Sequence, residues 1–153
     1  MTGVQTCALP ISWADLTVTV EAGCTIADLQ RTLAERGQRL AVDPLWPEKA
    51  TVGGVLSTND TGVLRYRYGG LRDLVIGVTL ALADGTLAAS GGKVVKNVAG
   101  YDLPKLATGA YGTLGVITQA TFRLHPSPKN VKDRKSTRLN SSHVALSRMP
   151  SSA

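Results

Sequence analysis

Residues 50–62 read ATVGGVLSTNDTG, and this stretch anchors the interpretation of the whole chain. Gly53 and Gly54 remove side chains where a backbone can meet an anionic or flat ligand. Free N–H groups at the start of a helical turn favour phosphate. Thr51, Ser57, Thr58, Asn59 and Thr61 add neutral hydrogen-bonding groups around them. The stretch is not a Walker A loop, because no Gly-Lys-Ser/Thr follows, and it lacks the GxGxxG dinucleotide fingerprint. Alone, a Gly-Gly turn is equally consistent with a purely structural role.

Two further stretches lie downstream. Residues 65–73, RYRYGGLRD, lead straight into an apolar run. They read either as a solvated basic loop entering a strand or as a second ligand wall with a basic residue facing phosphate. Residues 96–118, KNVAGYDLPKLATGAYGTLGVIT, place Gly109, Gly112 and Gly115 three residues apart before another apolar strand. That spacing suits a crowded loop where backbone touches a planar ring, and equally a tight helix-to-strand connection.

Outward from these stretches the pattern is α+β. Leu16, Val18 and Val20 alternate with polar residues, which predicts a half-buried strand. Thr25 with Asp28 three residues on is a helix start, Ile26, Leu29 and Leu33 are its apolar stripe, and Gly37 is its stop. A short extended piece over 40–42 ends at Asp43-Pro44. Residues 51–58 predict a glycine-opened helical turn, and 74–82 a strand. Asp84-Gly85 predicts a hairpin returning over 86–89. Asp102 caps a short helix that carries Pro104 in its first turn. Val116, Thr118, Ala120, Phe122 and Leu124 are expected on one face of a final strand. The expectation is an antiparallel sheet flanked by short helices.

Length and charge narrow the function. A chain of 153 residues has room for one domain. Its net charge of +6 would suggest a nucleic-acid partner, but up to Pro128 there are 11 basic and 10 acidic residues. From Lys129 onward there are 6 basic residues and one acid, Asp133. The basicity belongs to the tail, so no nucleic-acid partner is expected. Cys7 and Cys24 form neither a CxxC pair nor a metal-ligand spacing, so no metal is expected, and the thiols suit a reducing compartment. No apolar run reaches the length of a membrane span. A cytoplasmic protein is expected, with any membrane association running through partner subunits. Residues 1–12 and 129–153 lack periodicity and resemble translated sequencing-adapter read-through. The expected organisation is therefore a non-native or disordered segment 1–12, a domain over 13–128, and a disordered, non-native tail 129–153.

In this order, VGG with a polar Asn-x-x-Gly, RYGGLRD opening a strand, and a helix closing on GxxGTLGVIT resemble the FAD-binding domain of the vanillyl-alcohol-oxidase-like superfamily, the PCMH-type domain. The KVVKNVAGYDLPKL segment is most similar to the FAD-binding E-type subunits of bacterial glycolate oxidases, relatives of D-lactate and other 2-hydroxy-acid dehydrogenases. The resemblance covers residues 13–126. It implies an FAD-dependent oxidoreductase subunit acting on a small 2-hydroxy acid, working beside a second flavin subunit and an iron–sulfur subunit. The alternative is a non-catalytic flavin-binding, electron-relay or assembly subunit of the same fold.

The resemblance also implies site residues. Thr51, Val52, Gly53 and Gly54 would meet the flavin ribityl chain or pyrophosphate through main-chain N–H groups. Asn59, Thr61 and Gly62 would continue that wall, Gly115, Val116 and Ile117 would line the cofactor, and Pro44 is a further contact. Family members open with a glycine-rich pyrophosphate loop upstream of the first strand and place proton-transfer residues in a C-terminal cap. This chain shows neither, so the domain is expected to be partial, inactive alone and weak at best in binding FAD, with no catalytic residue assigned. His125 reads as a loop histidine, and His143 falls in the tail.

Overall fold

The computed structural model describes residues 8–92 and 102–128. The chain order is β1 (Ala8–Ser12), β2 (Thr17–Glu21), α1 (Ile26–Ala34), β3 (Gln38–Arg39), α2 (Val52–Thr58), α3 (Arg65–Tyr68) and α4 (Leu71–Leu74). Then come β4 (Val75–Ala81), β5 (Leu87–Gly91), α5 (Leu103–Ala107), β6 (Val116–Arg123) and β7 (His125–Pro126). The main sheet has the order β1-β2-β6-β4-β5, and every neighbouring pair is antiparallel. β3 and β7 form a separate two-stranded sheet. This is the α+β architecture that the patterning predicts.

The helices form where their caps and apolar stripes require. Thr25 caps α1, its side chain accepting from the Asp28 N–H, and Ile26, Leu29 and Leu33 are buried. Gly37 follows with φ of 63°, a left-handed stop that costs glycine nothing. Thr51 caps α2, which buries Val52, Val55 and Leu56. Asp102 caps α5 with Pro104 inside the first turn. The Asp84-Gly85 turn reverses β4 into β5, pairing Leu80 with Ala88 and Ala81 with Leu87. The core gathers Val18 and Val20 from β2, Val78 and Leu80 from β4, and Ala120 and Phe122 from β6 beneath the stripes of α1 and α2.

Four sequence expectations shift. Leu74 closes α4 rather than opening β4. Leu16 takes φ of 52° and β2 starts at Thr17. The paired extended piece is Gln38–Arg39 instead of 40–42, and it aligns with β7, so His125 is a strand residue opposite Arg39. β6 does not keep one face inward: Ala120 and Phe122 are buried, but so is Ile117, while Val116 is 67% exposed. The cause is a β-bulge. Thr79 pairs with Gln119 and Leu80 with Ile117, so Thr118 is the extra residue and the alternation flips there.

β1 lies within the segment 1–12, which carries no side-chain pattern. It is an edge strand held by backbone pairing, with Ile11 opposite Val18 and Ser12 opposite Thr17. The 96–101 part of the third sequence stretch, Cys7, His143 and the tail 129–153 lie outside the described residues.

Candidate functional site

The two helix starts are stitched together. Thr25 and Thr51, the two N-caps, form an antiparallel bridge. Ile26 N–H donates to the Ala50 carbonyl at 2.9 Å, and Val52 N–H donates to the Cys24 carbonyl at 2.9 Å. One residue on, Gly53 N–H donates to the Ala22 carbonyl at 2.8 Å. A Cβ built on Gly53 would sit 2.8 Å from the Ala22 methyl carbon, so only glycine lets α2 approach the β2–α1 turn this closely. Ala22 N–H in turn donates to the Thr118 carbonyl at 2.9 Å, which ties the turn to the β6 bulge.

The glycine-rich loop docks on the other end of α2. Gly109 N–H donates to Leu56 O at 2.9 Å and Tyr111 N–H to Ser57 O at 3.0 Å, supplying donors to carbonyls near the helix C-terminus. Gly109, Gly112 and Gly115 all have positive φ, at 81°, 77° and 147°. At Gly115 a Cβ would also press on the Ala81 carbonyl at 2.8 Å. The three-residue spacing is thus the signature of a loop folded tightly over α2 and β4.

Between these parts lies an open cleft of ≈ 340 Å³, lined by the turn at Ala22 and Gly23, the first turns of α2 and the 112–117 segment. Of the residues expected at the site, Thr51, Gly53, Gly54, Gly115, Val116 and Ile117 meet here. Ala22 and Gly23 line it too, although their sequence reads only as a strand-to-helix turn. A Cβ on Gly23 or Gly112 would meet nothing within 4 Å, so both glycines stand on open space. Tyr111, Leu114 and Val116 leave an exposed apolar rim beside the loop, at 73%, 43% and 67% exposure.

The other expected residues lie elsewhere. Val52 is buried in the core. Asn59 is the left-handed C-cap of α2, with φ of 56°, and its Cβ lies beside Gly109. Gly62 packs on Asp43, where a side chain would collide with the carboxylate. That carboxylate accepts from the N–H groups of Val63 and Leu64 at 3.1 and 3.0 Å. Thr61 and Pro44 are buried near this loop. RYGGLRD forms α3 and α4, and none of its residues lines the cleft.

The chemistry of the lining decides what part of a cofactor fits. Val52 and Gly53 amides are engaged within the chain, and Gly54 N–H donates to Thr51 Oγ1 at 3.2 Å. The expectation of free helix-start donors for a phosphate is therefore corrected: the β2–α1 turn and the Thr51 cap consume them. No charged side chain among the described residues lines the cleft. Its glycine surfaces and the Thr51 and Ser57 hydroxyls fit a flat neutral ring and a polyol, the flavin and ribityl parts of a flavin cofactor. Among the described residues no group of three or more His, Cys, Asp or Glu gathers as for a metal.

Antiparallel α+β architecture with a glycine-walled cleft fits a nucleotide-cofactor-binding class of domain. The chain belongs to the FAD binding domain family, whose model matches residues 6–91, and its cofactor is FAD. It is 40% identical over 124 residues to glycolate oxidase subunit GlcD of Bacillus subtilis, covering 81% of this chain and 26% of that protein. It is 36% identical over 116 residues to glycolate oxidase subunit GlcE of Escherichia coli, covering 75% of this chain and 33% of that one. Against D-lactate dehydrogenase of Archaeoglobus fulgidus the identity is 41% over 110 residues, with 72% and 25% covered. A solved structure of alkyldihydroxyacetonephosphate synthase superposes with a TM-score of 0.68 at 27% identity, over 80% of this chain and 22% of that chain. The chain thus spans about a quarter to a third of the length of these curated relatives. No helix among the described residues is long and apolar enough to cross a membrane.

Proposed function

We propose that this chain supplies one glycine-lined wall of an FAD site in a subunit that oxidises a small 2-hydroxy acid. The observation that carries the reading is the cleft itself: sequence-distant glycines of α2, the turn at Ala22 and Gly23 and the 112–115 loop converge on one uncharged surface. Its relatives named as glycolate oxidase subunits and D-lactate dehydrogenases support the substrate class.

When bound, FAD supplies the redox chemistry. The residues of this chain bind and orient. Gly23, Gly54 and Gly112 leave room for close approach of a ring or polyol, while Thr51 and Ser57 offer hydroxyl partners. The exposed Tyr111, Leu114 and Val116 would meet the cofactor's apolar edge and exclude water there once it is bound. Asn59, Thr61, Gly62 and Pro44 act as positioning residues that hold the loops behind α2. The diphosphate is bound by residues outside this cleft, in keeping with its uncharged lining. Partner subunits, including an iron–sulfur subunit, receive the electrons.

The test is to express the chain joined to its flanking coding sequence and to follow the flavin absorbance anaerobically. Glycolate or D-lactate should bleach a bound flavin. A bound flavin that no 2-hydroxy acid bleaches would overturn the substrate assignment while leaving the cofactor assignment standing.

A further inference from the structure

At the end of β6 remote from the cleft, two arginines and a histidine gather on one aromatic ring. The Arg39 guanidinium lies 4.8 Å from the Tyr68 ring centroid and that of Arg67 lies 5.4 Å from it. The His125 imidazole meets the same ring edge-on, with centroids 4.8 Å apart and planes at 63°. Arg39 and His125 are register partners across β3 and β7, and Arg123 ends β6 two residues before His125. Burial first, then Arg123 and then Arg39 push the His125 imidazole below its usual pKa, which places both guanidinium charges within electrostatic reach of the ring.

Among the described residues Arg39 and Arg123 have no ion-pair partner, the two ion pairs there being Arg31–Asp28 and Lys105–Asp102. Arg39 Nε, Arg123 Nε and His125 Nδ1 are buried with no hydrogen-bond partner among the described residues. Two half-buried guanidinium groups with no anion among the described residues, each with an orphaned Nε, are a costly arrangement in a domain otherwise nearly neutral. Stacking on Tyr68 accounts for the Arg39 and Arg67 planes but not for the orphaned Nε of Arg123.

We propose that Arg39 and His125, which meet at the Tyr68 ring, together with the neighbouring Arg123, bind the dianionic phosphate group of a small molecule. The guanidinium fork matches phosphate oxygens, and the imidazole adds positive charge beside it once protonated. Arg67 adds charge at the exposed rim. The site is separate from the flavin cleft: Val116 and Arg123 lie at opposite ends of β6, roughly 20 Å apart at about 3.3 Å per residue. It stands whether or not the substrate class proposed above is right.

The test is an NMR titration of the His125 imidazole in the full 153-residue chain, with inorganic phosphate or glycerol 3-phosphate replacing chloride at constant ionic strength. Groups facing His125 are Arg39 from β3, Tyr68 from α3 and Arg123 from β6. Both probes should give a saturable shift, and the His125 titration should move to higher pH. Tighter binding of glycerol 3-phosphate would identify a phosphate ester as the ligand, and equal binding would identify free phosphate. Arg39→Gln should weaken the affinity by about tenfold, the loss of one charge-assisted contact. Arg39→Lys keeps the charge, loses the fork, and should also weaken binding with the fold retained by circular dichroism. No saturable shift beyond that of chloride, undiminished binding in a folded Arg39→Gln/Arg123→Gln chain, or displacement of phosphate by FAD would each overturn the site.

Discussion

Gly53 and Ala22 touch backbone to backbone: the Gly53 N–H reaches the Ala22 carbonyl at 2.8 Å, and the space for a Gly53 side chain is already filled by the Ala22 methyl. This contact sets how far α2 stands from the β2–α1 turn, and so the width of the cleft. A methyl at 53 gains about 1 kcal/mol of helix propensity but overpacks the contact by roughly 1–3 kcal/mol. Gly53→Val adds two more carbons and a β-branch. Urea unfolding should rank wild type and Gly53→Ala close together and Gly53→Val at least about 2 kcal/mol lower. Equal stability of all three would mean that the turn moves freely.

Phe122 is the largest side chain of the core, 1% exposed, and sits opposite Val18 in β2 and Val75 in β4. Phe122→Ala should lower stability by about 3–5 kcal/mol, read as a fall in thermal midpoint. A loss under about 1 kcal/mol would mean that the sheet does not pack as described.

Much of this frame is legible in the sequence because its signals are local. Thr25 with Asp28, the glycine-opened turn over 51–58 and Asp84-Gly85 each act through neighbours a few residues away, and each forms the helix start, helix or turn expected of it, although Thr51 proves to be the cap and not a helical residue. The Thr118 bulge is not legible, since Val116, Thr118 and Ala120 continue one alternation in sequence. Only pairing with β4 shows that the alternation breaks there. β1 is invisible for a related reason: an edge strand is recruited by backbone hydrogen bonds rather than by a side-chain period. At the site, glycine pairs point to close approach, but whether an amide is free or consumed depends on the Ala22 and Cys24 carbonyls, far away in the sequence.

Thr25 accepts from the Asp28 N–H, and its hydroxyl also donates to the Asp28 carboxylate at 2.8 Å. That contact, ahead of Arg31, holds the Asp28 carboxyl below its usual pKa. Thr25→Ala should cost about 1 kcal/mol in chemical denaturation, the loss of one N-cap. Thr25→Ser should recover most of it. A Ser variant as unstable as Ala would assign the effect to the Thr25 methyl and not to its hydroxyl cap.

His125 gives the stability a pH dependence with a defined sign. Its folded pKa is pushed below the ordinary 6.5 by burial and then by Arg123 and Arg39. The unfolded chain therefore binds the proton more readily, so the contribution is complete above about pH 6.5 and is lost as pH falls through the folded pKa. Asp28, Asp84 and Asp102 are all lowered from 3.8, and their contributions fade only at more acid pH. Thermal midpoints in phosphate-free buffer should fall from about pH 7 to about pH 5, and His125→Gln should flatten that slope. An unchanged slope in the variant would assign the proton to another group.

Gly23 tests the central claim most directly, because a side chain there meets only the cleft. The measurement is FAD content and affinity, by flavin fluorescence, of the chain joined to its upstream coding sequence, as wild type and as Gly23→Leu. Stability should stay within about 0.5 kcal/mol, as for a surface substitution, while FAD binding falls by at least about tenfold. A folded Gly23→Leu protein that binds FAD as tightly as wild type would contradict the placement of the flavin in this cleft.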